Sequence, residues 1–159
     1  MEAVVNFFKK QGVAFYVLIV ALVMAIVSVC MYSADVQIEY FFEAYANSAV
    51  IAFSTIAIIL IAAILVVSQF GFAQNTYVKI VIDIAAVLAA AFVIAPMLYF
   101  IGDRVYHFGV VLGSDLEKGN DIAFAAVNHS IVTIVMYGIT LVCTLVAAFF
   151  NVMKYGEEN

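Results

Sequence analysis

Asp103, His107 and His129 are the side chains best suited to chemistry in this sequence. Asp103 stands four residues before His107, so on a helix the two share a face, and a carboxylate so placed can orient an imidazole toward a metal. Joined by His129 and by Glu39 or Glu43 from an earlier loop, they offer the nitrogen and oxygen ligands that zinc takes. Two histidines on facing helices can also serve as the axial pair of one haem. The plainer expectation, which we prefer, is that each histidine hydrogen-bonds a neighbour and that the chain holds no cofactor and is not an enzyme.

Arg104 is the only arginine. A guanidinium near a membrane edge is most stable when forked onto a carboxylate. Adjacent Asp103 points elsewhere on the helix, so Glu39, Glu43 or an acid of a partner are the better candidates, and Arg104 is expected to act as a clasp that joins the two outer loops. Asp83 follows Lys79 by one turn near a helix start, where the helix dipole favours a negative charge, and reads as an interfacial carboxylate. The two cysteines form no Cys-x-x-Cys and are expected at different depths, as inert thiols. The acids of "SDLEKGND" lack the spacing of a calcium loop.

The elements that must position these residues are set by composition. Apolar residues make up 68% of 159 positions and charged ones 11%; mean hydropathy is +1.19. Soluble domains carry about 45–50% apolar and about 25% charged residues. Asp, Glu, Lys and Arg are absent from residues 11–34, 44–78, 84–102 and 122–153. Each run exceeds or approaches the roughly 20 helical residues that cross a hydrocarbon layer. The runs do not alternate polar with apolar residues, which excludes a β-barrel reading and leaves helix, the form that satisfies its own backbone. The expected fold is an all-α integral membrane protein, a single domain over 1–159. Its four-transmembrane-helix bundle has spans near 12–34, 46–69, 78–102 and 121–151, with helical outer loops.

Lys9, Lys10, Lys79 and Lys154 fall on one side of this topology, Arg104 and Lys118 on the other, so both termini are expected in the cytoplasm of a multi-pass cell-membrane protein. The first span is too long for a signal h-region and is expected to be retained. The opposite surface collects Asp35, Glu39, Glu43, Asp103, Asp115, Glu117 and Asp121. With a pI near 4.7 the chain is unsuited to nucleic acid, which clustered Lys and Arg recognise.

Packing signals are plain. Ala126, Ser130, Thr133, Tyr137, Thr140, Thr144, Ala147 and Asn151 recur at alternating steps of four and three, the seam of a helix pair, and predict a stripe that faces protein. Gly109 and Gly113 would let the third helix press on a neighbour. Asn75 or Thr76, and Asn120 or Asp121, are candidate helix caps. Asp35, Glu39 and Glu43, spaced by four, predict a short helix lying on the membrane, acids up and aromatics down. A lead-in over 1–8 is expected to rest on the membrane with Phe7 and Phe8 down.

The leading expectation is a non-enzymatic subunit or scaffold of a membrane assembly, whose partners are the lipid bilayer and another membrane protein or a second copy. The alternatives are a small oligomeric transporter or channel, and a redox subunit built on His107 and His129.

Overall fold

The computed structural model describes residues 11–38, 40, 46–70, 75–150 and 152, and among them every regular element is helical. The four long helices are α1 (Val13–Asp35), α2 (Ser48–Val67), α3 (Thr76–Gly113) and α4 (Asp121–Ala148), and each is long and apolar enough to cross a membrane. The lead-in over 1–8, Glu39 and Glu43 of the expected surface helix, and Asn151 lie outside the described residues.

Apolar runs continue as helix because their backbone groups pair within the segment, and three of the four starts are marked by one residue type. Asn47, Asn75 and Asn120 precede α2, α3 and α4, and each side-chain oxygen accepts a backbone N–H of the first turn, from Ala49, Tyr77 and Ala123. This leaves fewer of the four orphan N–H groups that every helix start exposes. Pro96 lies buried within α3, and the helix continues through it.

The helices pack as a closed ring in chain order, α1 on α2, α2 on α3, α3 on α4 and α4 back on α1. The two ends of the described stretch meet at one pole, where the backbone N–H of Gly12 donates to the carbonyl of Val152 at 2.8 Å and Gln11 donates to Gln69 at 2.9 Å. Near this pole Ala14, Leu18, Ile61, Ile64, Ile82, Ala86 and Ala147 form one core. A second core further along joins Tyr32, Val50, Ala57, Val93, Phe100 and Tyr137.

The helices differ in length, and the excess lies at the other pole. From Ile82 to Arg104, α3 climbs about 33 Å at 1.5 Å per residue, close to the roughly 30 Å of a hydrocarbon core. It then continues to Gly113, about 14 Å further. With the first turns of α4 it makes a hairpin that projects past the last residue of α1. A small third core of Val111, Ala123 and Val127 holds the hairpin together, with Tyr40 and Phe108 against it.

The hairpin turn sets the register of α3 against α4. Helix α3 stops at Gly113, a 3-10 turn occupies Asp115–Glu117, and Gly119 takes a φ of +86°, a conformation open to glycine. Arg104 therefore stands level with Ser130, and His107 with about Val127.

Candidate functional site

Where α1 ends, its last residue turns a carboxylate into the bundle. Asp35 is fully buried, and so, at 2% exposure, is Arg104 of α3. The Nε and Nη2 of Arg104 both reach Oδ2 of Asp35, at 2.9 and 2.8 Å. The hydroxyl of Ser130 donates to Oδ1 at 2.6 Å, and Nδ1 of His129 lies 3.2 Å from the same oxygen. With its proton on Nδ1 the ring donates as well. One carboxylate from α1 thus collects donors from α3 and α4.

This arrangement is chemically closed. An ionised carboxylate has about four lone-pair directions, and four donor atoms face Asp35. In low dielectric an unpaired charge costs several kcal/mol, which four charge-assisted bonds offset. Such a group ties α1, α3 and α4 together. Beneath it the guanidinium carbon of Arg104 stands 5.5 Å over the ring of Phe100, which meets Tyr32 edge-on at 5.3 Å.

A second junction adjoins it. The Tyr32 hydroxyl accepts the backbone N–H of Asn47 at 2.7 Å, and the Asn47 amide, while capping α2, donates to Asp103 Oδ2 at 2.9 Å. Asn47 thereby joins α1, α2 and α3. Around the tip, the half-buried Tyr40 hydrogen-bonds Glu117; burial chiefly, and then the charge of Glu117, raises its phenol above the ordinary value.

The candidate ligands are sent to different partners. Asp103 bonds Asn47, His129 bonds Asp35, and His107 lies edge-on to Tyr106 at 5.7 Å. Among the described residues no three metal-ligating side chains are gathered. Arg104 meets Asp35, while Glu39 and Glu43, its expected partners, lie outside the described residues. Asp83 is exposed on α3. Cys30 and Cys143 are free thiols.

The stripe of α4 lies inside the ring: Ala126, Ser130, Thr133, Tyr137, Thr140, Thr144 and Ala147 are all buried. Its hydroxyls are satisfied locally and across the bundle. Thr133, Thr140 and Thr144 donate to carbonyls one turn back, Tyr137 bonds Ser54 at 2.9 Å, and Thr140 lies 3.5 Å from Ser28. Beside them is a cavity of about 10 Å³ lined by Ala25, Ser54, Ala57, Val93, Pro96, Tyr137 and Thr140. That is room for about one water.

Asp35 is the residue that reading the sequence missed. It was assigned to the outer loop with Glu39 and Glu43, although it is the first charge after the uncharged run that opens the first span. Matching its height to Arg104 along the two helices would have paired them.

Comparison with protein families, with curated proteins and with solved structures finds no match.

Proposed function

We propose that this chain is a non-enzymatic subunit of a membrane assembly, a four-span bundle that binds a neighbouring transmembrane helix along the lipid-facing side of α3. The observation that carries this reading is a run of glycines with no role inside the chain. Gly102 and Gly109 are exposed, and a Cβ added at either, or at Gly113, would meet nothing within 4 Å. Each glycine costs about 1 kcal/mol against alanine in a helix interior. Ala95, Gly102 and Gly109 recur every seven residues, with Leu98 and Val105 exposed along one side and Tyr99 and Tyr106 along the other. A shallow channel between ridges admits a partner helix at close range, which is how helices associate where lipid gives them no hydrophobic reason to do so.

The interior supports the same reading. Its buried hydroxyls bond one another or the backbone, and its buried carboxylate is saturated, so the polar groups act as internal ties. The lysine distribution supports termini in the cytoplasm and the α3–α4 hairpin on the outer side.

The test is the mass of the assembly extracted in mild detergent, for the natural chain and for a variant carrying both Gly102→Leu and Gly109→Leu. The natural chain is expected to travel with companion chains, and the variant to lose them while keeping its own thermal stability. Equal association in both would refute the reading.

A further inference from the structure

With the hydrocarbon boundary set at the Asp35–Arg104 level, the hairpin tip presents apolar side chains beyond the reach of acyl chains. Headgroups add about 5–8 Å beyond each side of the hydrocarbon core, and the tip stands about 14 Å above the Asp35–Arg104 level. Yet Leu112, Leu116 and Ile122 are 61%, 94% and 62% exposed there. Around them stand Asp115, Glu117 and Asp121, with Lys118 already paired to Asp115. An apolar patch rimmed by polar residues marks an interaction surface, and the charge selects its occupant. A second copy would set carboxylates against carboxylates, and an anionic lipid surface would be repelled. A helix with leucines on one face and lysines or arginines on the other satisfies both parts.

We infer that this tip docks a cationic amphipathic segment of a partner protein. The inference rests on the reading of the chain as a subunit and names the chemistry of one partner surface. The tip lies further along α3 than the channel that runs from Ala95 to Gly109.

The probe is a synthetic Leu/Lys amphipathic helix, with a Leu/Glu helix as its charge-reversed counterpart. Binding is measured by fluorescence anisotropy to the full chain in zwitterionic nanodiscs and to empty nanodiscs. The Leu/Lys helix is expected to bind loaded discs at least tenfold more tightly than empty ones. Leu116→Ser should weaken that binding about tenfold, the loss of one buried leucine, and Asp115→Asn with Asp121→Asn should weaken it and flatten its salt dependence. Equal binding to loaded and empty discs overturns the inference in favour of lipid. Equal binding of both peptides removes the charge argument and overturns it too. Self-association of the chain that Leu116→Ser abolishes assigns the tip to a second copy and also overturns it. Companions that still co-purify through α3 while the peptide fails would leave the subunit reading standing.

Discussion

Arg104 approaches Asp35 with two nitrogens on a single oxygen, Nε at 2.9 Å and Nη2 at 2.8 Å from Oδ2, and so leaves Oδ1 to Ser130 and His129. That division of the carboxylate draws α3 and α4 onto the end of α1. Removing one member of a buried pair leaves the other uncompensated, at about 3–5 kcal/mol. Arg104→Met and Asp35→Asn should each lower stability by that order in an SDS unfolding titration. Together they should cost less than their sum by about 0.5–3 kcal/mol, the coupling of groups in contact. Strict additivity would show that the pair does not interact.

Asn47 performs two tasks with one amide, capping α2 and holding Asp103. Asn47→Ala loses both and should cost at least the about 0.5–2 kcal/mol of a lost cap. Asn47→Asp keeps a capping oxygen but places a carboxylate against Asp103. It should therefore be destabilising too, and more so at low salt, where repulsion is unscreened. Thermal melts of the two variants at low and high salt separate the tasks.

Tyr40 supplies a pH dependence. Its phenol is raised above the ordinary value, by burial first and then by Glu117. A raised value means that the protonated form is favoured in the folded chain. The contribution of the Tyr40–Glu117 contact is whole below the ordinary tyrosine value near pH 10 and is lost as pH climbs through the raised one. In a titration followed at 295 nm, the difference between the natural chain and Tyr40→Phe should show one phenol ionising later than a free tyrosine. Glu117→Gln should bring that ionisation earlier.

Tyr137 and Ser54 bond each other at 2.9 Å within the bundle. Tyr137→Phe leaves the Ser54 hydroxyl without this partner. Interhelical bonds of this kind in membranes average about 0.6 kcal/mol, so a small drop in thermal stability is expected, and Ser54→Ala added to it should cost little more.

Much of the architecture was legible because it follows from one-dimensional patterns. Uncharged runs announce four long apolar helices, Asn75 and Asn120 announce caps, and the alternating four-and-three steps from Ala126 to Ala147 announce a face that the fold buries. The site was less legible because it depends on matching heights across helices. Asp35 and Arg104 lie far apart in the chain, and only a count along each helix sets them level. The register of α3 against α4 was not legible for a local reason: α3 stops at Gly113, and Ser114 caps a 3-10 turn before the chain reaches Gly119. Gly109 and Gly113 were legible as places where the third helix can press on a neighbour, and within the chain open space faces them.

The central claim, that the outward side of α3 meets protein while other outward sides meet lipid, is tested most directly by photo-cross-linking in native membranes. A diazirine amino acid is placed in turn at Gly102 and Gly109, and at Ile59 of α2 and Val142 of α4, both exposed on other sides of the ring. Protein adducts are expected at 102 and 109, and lipid adducts alone at 59 and 142. Lipid adducts alone at all four positions would contradict it.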